Sequence, residues 1–351
     1  MSAQAKREAL LEQLQTAVSL EQATIPAYLT ALFSIKRTAN RQAAENIRSV
    51  LIEEMLHLAL VSNVISSIGG HVTLTGRHVP SYPLEMSFKG VQFADRKFQV
   101  HLAPFEEETV RTFMAIEEPR RPEMMVAALE LKKIAVPAPT IGEFYDDLVR
   151  QLEALDHEMG SEALFTGDVS RQISEDYYWS AGGKPVLVKD LATAKRALHI
   201  VIHQGEGRTT SLLDDGDHEN FGQPYEVAHF YRFKEILRRR RYKRGDDPSQ
   251  DPTGDEFAVD YSQVYPIKID AKHADYAQNS ALASLNLAFN RQYSLMLRQL
   301  EEALNGEPKT LYTAIMNGMH NLSSLALQMV ALPIADDQGP TGCPTFEWVS
   351  S

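Results

Sequence analysis

Apolar residues recur at three- and four-residue intervals along most of the chain, the period of helices buried on one face. Over residues 6–37 the stripe is Leu10, Leu14, Ala17, Val18, Ile25, Tyr28, Leu29 and Leu32, which predicts a long helix kinked at Pro26. A turn near Thr38-Ala39-Asn40 leads to a second helix, about 41–68, with Ile47, Val50, Leu51, Leu58, Val61, Ile65 and Ile68 in phase. Gly69-Gly70 stops it. The period then changes. Val72-Thr73-Leu74-Thr75 alternates like a half-buried strand, as do Phe98, Val100 and Leu102, with Pro80 and Pro83 between them. Further helices are predicted at about 106–116, 140–155, 188–208, 225–241, 271–305 and 308–332. A Pro-rich loop runs to Pro139, a Gly/Asp-rich loop covers 210–224, and a polar loop covers 245–256. The fold class expected is all-α. A four-helix bundle fills 1–240 with a small β or extended insertion at about 71–139. A loop, helical hairpin and tail at 241–351 pack on it.

Three polar residues interrupt the apolar stripes. Glu21 is in phase with Leu14, Val18, Ile25 and Tyr28; Glu54 and His57 are in phase with Val50, Leu51, Leu58 and Val61. A buried carboxylate without a partner is costly, so each needs a cation or a hydrogen-bond donor. Glu-x-x-His on a helix sets both side chains on one face, as a two-metal site in a bundle core requires. Glu21 lies about 18 residues before the centre of the turn; Glu54 and His57 lie about 15 and 18 after it. At about 1.5 Å per residue, an antiparallel hairpin puts all three at nearly one height. The rival reading is a buried Glu–His or Glu–Arg hydrogen-bonded cluster.

A second half-site is less tidy. His199, His203 and Glu206 fall at i, i+4 and i+7, within the string His203-Gln204-Gly205-Glu206-Gly207. The two glycines mark either a close helix approach at a site or simply the helix end. Thr140-Ile141-Gly142-Glu143 is a capping-box pattern, which explains Glu143 without metal. His229 reads by itself as an ordinary core histidine.

Composition narrows the chemistry. The single cysteine, Cys343, excludes a disulfide framework and cysteine-based zinc or iron–sulfur sites, leaving Glu, Asp and His as ligands, which suit iron or manganese. A net charge of −12 argues against nucleic acid as a partner. The basic run Arg238–Arg241, Lys243, Arg244 reads as solvated cations at a helix C-terminus. No uninterrupted apolar run reaches membrane-spanning length and the N-terminus lacks a signal-peptide core, so no membrane partner and a cytoplasmic location are expected. The acidic loop Asp214-Asp215-Gly216-Asp217-His218-Glu219 lacks the spaced ligands of an EF-hand.

The strings Leu20-Glu21-Gln22-Ala23-Thr24-Ile25-Pro26-Ala27-Tyr28, Glu53-Glu54-Met55-Leu56-His57, Phe113–Pro119, Thr140–Tyr145, Gln204–Gly207 and His229–Phe233 carry a family likeness, as does the tail from Gly339-Pro340 to Phe346-Glu347. The chain resembles the ferritin-like domain family typified by the iminophenylpyruvate dimer synthases of violacein and rebeccamycin biosynthesis. The resemblance implies a ferritin-like bundle and a di-iron carboxylate centre of Glu21, Glu54, His57, Glu143, Glu206 and His229. It raises Glu143, Glu206 and His229 above their local readings. One departure is His203, at a position where a glutamate is common in the family, which leaves the ligand set on that side open.

The function expected on these grounds is an O2-dependent di-iron oxidase or oxygenase acting on a small, amino-acid-derived metabolite in a secondary-metabolite pathway. Its cofactor would be two iron ions, with manganese as the alternative. Tyr28 and Tyr145 are near enough in sequence to line the pocket or to hold the ligands. The expected partners are a small-molecule substrate and O2, with a homo-oligomer left open. The rival readings are a ferritin-like protein that stores or sequesters iron without turnover, and a metal-free bundle that binds partners.

Overall fold

The computed structural model describes residues 2–88, 96–119, 133–136, 140–178, 182–205, 212, 227–335 and 339–350. Glu206 and the acidic loop 214–219 lie outside the described residues. Helix α1, Ala3–Ser34, is capped by the Ser2 side chain and continues through Pro26. It turns at residues with left-handed backbone, Thr38 and Asn40, into the antiparallel helix α2, Arg41–Ser67. Gly69, at φ +72°, ends α2 in the conformation glycine favours. By length and hydropathy α2 would pass for a membrane span, but 83% of its apolar window is buried inside the fold, as in a core helix.

After α2, strands β1 (Leu84–Phe88) and β2 (Arg96–Val100) pair antiparallel. Helix α3, Glu107–Ile116, follows, and then β3, Lys133–Val136, which pairs parallel to β1 and gives the order β2-β1-β3. The segment 72–75 is not a strand, contrary to its alternation. Its backbone groups are instead taken up by side chains: Val72 N and O by Asn305, Thr73 N and O by Gln15, and Leu74 N and Thr75 N by Glu301.

Helix α4, Ile141–Met159, leads through a single turn α5, Ser161–Leu164, to α6, Leu191–Gln204. α4 packs on α1, and α6 packs on both α4 and α2, which completes a four-helix bundle. Helix α7, His229–Arg238, is shorter than the sequence pattern predicts and packs against α3 and α2. The basic run at its end is paired rather than freely solvated: Arg238 with Asp251, Arg240 with Glu256 and Arg241 with Glu235. The C-terminal hairpin is α8, Ser280–Leu304, then α9, Thr310–Thr313, a wider π-type stretch Ala314–Met319, and α10, His320–Val330. α8 touches α2 and α10 touches α1, so one apolar core continues from Leu10 to Phe346.

Candidate metal centre

α1 and α2 bring Glu21, Glu54 and His57 together inside the bundle, all at most 5% exposed. His57 Nδ1 lies 3.3 Å from Glu21 Oε2. A second set, Glu54, Glu117 and His229, adjoins the first and shares Glu54 with it. Within each set the ligand atoms lie within 4.8 Å of one another. Glu117 caps the C-terminus of α3 and His229 opens α7, so two helix ends outside the bundle complete the second set beside Glu54 of α2. The rings of His57 and His229 are stacked, 5.4 Å between centroids at 24°.

Each of these side chains is held from behind. Gln204 Oε1 lies 3.1 Å from His57 Nε2, which makes Nε2–H a donor and turns Nδ1 toward Glu21. Gln204 is fixed in turn by Gly182, whose carbonyl accepts from Nε2 at 2.9 Å. Gly182 sits at φ +97°, and a Cβ there would come 3.1 Å from Glu53 Cγ. His229 Nε2 lies 2.9 Å from Glu53 Oε2, and the other Glu53 oxygen accepts from Arg232 Nη1 at 2.8 Å. By the same reasoning His229 presents Nδ1 to the site. Thr24 donates to Glu54 at 2.9 Å, Tyr28 donates to Glu117 at 2.5 Å, and Tyr145 donates to Glu21.

The electrostatics follow from burial. With Glu53 matched by Arg232, three buried carboxylates remain against two buried imidazoles among the described residues. Burial, then the carboxylates of Glu117 and Glu21, push Glu54 up to about 8. Burial would raise Glu21 too, but hydrogen bonds from His57 and Tyr145 hold it below its ordinary range. Burial disfavours charge on His57 and His229, yet the facing carboxylates raise both above the ordinary histidine value. The metal-free site therefore holds protons where cations would otherwise balance the charge.

These residues fit a metal pair. His229 Nδ1 stands 3.1 Å from Glu54 Oε1 and 3.6 Å from Glu117 Oε2, yet it makes no well-aligned hydrogen bond. A cation between these atoms would satisfy the nitrogen and both carboxylates at once. The donor set of carboxylate oxygens and imidazole nitrogens is that of iron or manganese sites.

Two other residues singled out in the sequence, Glu143 and His203, lie outside these two sets. Among the described residues, the His, Asp and Glu groups close enough to share a cation include neither Glu143 nor His203. Glu143 occupies the first turn of α4, and its N–H is capped by Thr140 Oγ1 at 3.2 Å. The buried stripe of α4 is Phe144, Tyr145, Leu148, Val149 and Leu152, which sends Tyr145 rather than Glu143 to the centre. His203 is half-buried and meets His199 edge-on, 6.4 Å between ring centroids, while its neighbour Gln204 enters the cluster. Gly205 serves both readings of the glycine pair: it caps α6, and a Cβ on it would stand 3.6 Å from Glu117 Oε2.

Glu53, Glu117, Gln204 and Arg232 are absent from the predicted ligands. Glu117 follows Val110 and Phe113 at i+7 and i+4, on the buried face of α3, so its phase was a usable signal. Gln204 likewise extends the stripe Ala194, Ala197, Leu198, Val201.

The sequence profile of the ferritin-like family matches residues 14–238. The chain belongs to the ferritin-like family. The match begins within α1 and runs to the end of α7, and so includes every residue of the cluster. Among solved structures, a ferritin-like protein from Caulobacter vibrioides superposes with a TM-score of 0.56 at 22% identity, over 91% of this chain and 93% of that one; this likeness concerns the fold. Among curated proteins, dichlorochromopyrrolate synthase of Lentzea aerocolonigenes is 22% identical over 97% of this chain. This ferritin-like chain spans 36% of that protein's length.

Proposed function

We propose that this protein is a di-iron oxidase or oxygenase that uses O2 to transform a small, amino-acid-derived metabolite. The observation that carries this reading is the pair of ligand sets joined at Glu54, with a buried histidine nitrogen facing two carboxylates without an aligned hydrogen bond. The distant likeness to dichlorochromopyrrolate synthase supports a role in small-molecule synthesis. Glu21 and His57 would hold one ion and Glu117 and His229 the other, with Glu54 a member of both sets. Bound iron would supply the redox chemistry with O2 that protein side chains lack.

The chain's own contribution is positioning and exclusion of water. Gln204 and Glu53 fix the tautomers of His57 and His229, so that both present Nδ1 inward. Tyr28 and Tyr145 each place a hydroxyl proton on a ligand carboxylate, and burial with the adjacent carboxylates raises both phenols well above their ordinary value. They remain protonated donors at neutral pH.

The test is anaerobic reconstitution with ferrous iron, metal analysis, and then addition of air. Two irons per chain and a change in the optical spectrum on O2 addition support the reading. No bound iron and no optical change would sink it, and a particle that mineralises many irons per chain would point to storage instead.

A further inference from the structure

A second enclosed space lies on the opposite side of the α1–α2 hairpin from the carboxylate cluster. The cluster is closed by α3, α4, α6 and α7. The cavity is bounded by α1, α2, the C-terminal hairpin and the tail, and no residue of those four helices lines it. Its cavity volume is about 80 Å³, several times the roughly 10–15 Å³ that one water needs. No charged side chain lines it among the described residues. Three methionines, Met55, Met296 and Met319, line it together with aromatic residues such as Phe33 and Phe346. Methionine adapts its shape and contacts ring edges favourably, so this lining suits an aromatic guest.

One polar group is left over in this apolar wall. Gln22 is 3% exposed and its amide donates to Leu74 O at 2.9 Å. The amide also meets the Tyr293 hydroxyl, another lining residue. Gln22 Oε1, however, has no hydrogen-bond partner. An unsatisfied buried carbonyl oxygen costs free energy that a donor entering the cavity would recover. The far wall includes the π-type stretch Ala314–Met319, whose Ala314, Ile315 and Met319 line the space. Such widened turns occur mostly at functional positions.

We propose that this cavity is a binding site, separate from the metal centre, for an uncharged aromatic molecule carrying one O–H or N–H, which donates to Gln22 Oε1. The absence of charged lining among the described residues disfavours ions, and the unpartnered Gln22 Oε1 offers an acceptor to one donor. Gln22 and Met55 adjoin Glu21 and Glu54 in sequence, so a guest here rests on the same two helices that carry the first metal set.

The test is calorimetric titration of the 351-residue chain with 4-ethylphenol and with ethylbenzene, in metal-loaded and chelator-treated samples. Saturable binding of both near one per chain is expected in both samples, with 4-ethylphenol about fivefold tighter through its one hydrogen bond. Ile315→Trp should fill the cavity and abolish binding of both; Ala314→Leu, a smaller filling, serves if the tryptophan variant loses helical signal. Gln22→Leu should erase the preference for 4-ethylphenol while ethylbenzene still binds. Equal affinities in the unmodified protein would overturn the role of Gln22. Absence of saturable binding, binding untouched by the filling variants, or binding seen only with metal present would overturn the site itself.

Discussion

At the scale of single residues, the centre separates groups that face the ligand space from groups that hold them. Glu117→Gln should lower iron content from two toward one per chain, because a neutral amide is a poor ligand for a hard cation. Glu143→Gln should leave the content unchanged, and Thr140→Ala should cost about 1 kcal/mol of stability through the lost cap. Metal analysis of the two glutamate variants beside a denaturation curve for the third checks all three. Protons make a further prediction. Glu54, at about 8 against an ordinary 4.5, holds a proton in the fold that the unfolded chain has released. Its contribution to stability is complete below pH 4.5 and lost as pH rises through 8. His57 and His229, raised above 6.5, add losses in the same direction above neutrality, whereas Glu21 and Glu53, held low, lose theirs only as pH falls below 4.5. The melting temperature of chelator-treated protein should therefore fall between pH 6.5 and 8.5, and metal should flatten that slope. A flat or rising profile in the metal-free protein would contradict the proton inventory.

At the scale of elements, helical phase was legible in the sequence where a stripe is long and uninterrupted. Glu21, Glu54 and His57 stand within stripes of many apolar residues, and the spacing alone puts them level across the hairpin. On α6 the histidine series 199, 203 is self-consistent but one residue out of phase with Ala194, Ala197, Leu198, Val201 and Gln204. One residue is about 100° of rotation, enough to exchange His203 for Gln204 at the centre. Glu117 extends the phase of Val110 and Phe113, but His229 opens α7, where no preceding turn sets a face and only tertiary packing of α3 on α7 decides. Alternation failed at 72–75 for another reason. The segment is extended and half-buried, but its backbone partners are side chains of α1 and α8, which no local pattern encodes. Asn305→Ala should leave both Val72 backbone groups unpaired and lower stability by about 1–3 kcal/mol, measured by urea denaturation.

At the scale of the whole molecule, the C-terminal hairpin and tail share the core of the bundle. Phe346 packs edge-on against Phe289 and Tyr293, and Thr345 is hydrogen-bonded to Asn286 and Asn290. A chain ending at residue 270 should expose the outer faces of α1 and α2 and either aggregate or bind a hydrophobic dye; a monomeric, cooperatively melting fragment would contradict a shared core. The central claim concerns the other side of that hairpin, where Glu54 joins two ligand sets. Anomalous scattering at the iron edge from iron-loaded crystals tests it most directly. The account predicts two peaks, one among Glu21, Glu54 and His57 and one among Glu54, Glu117 and His229. A single peak, or none within this cluster, would contradict it.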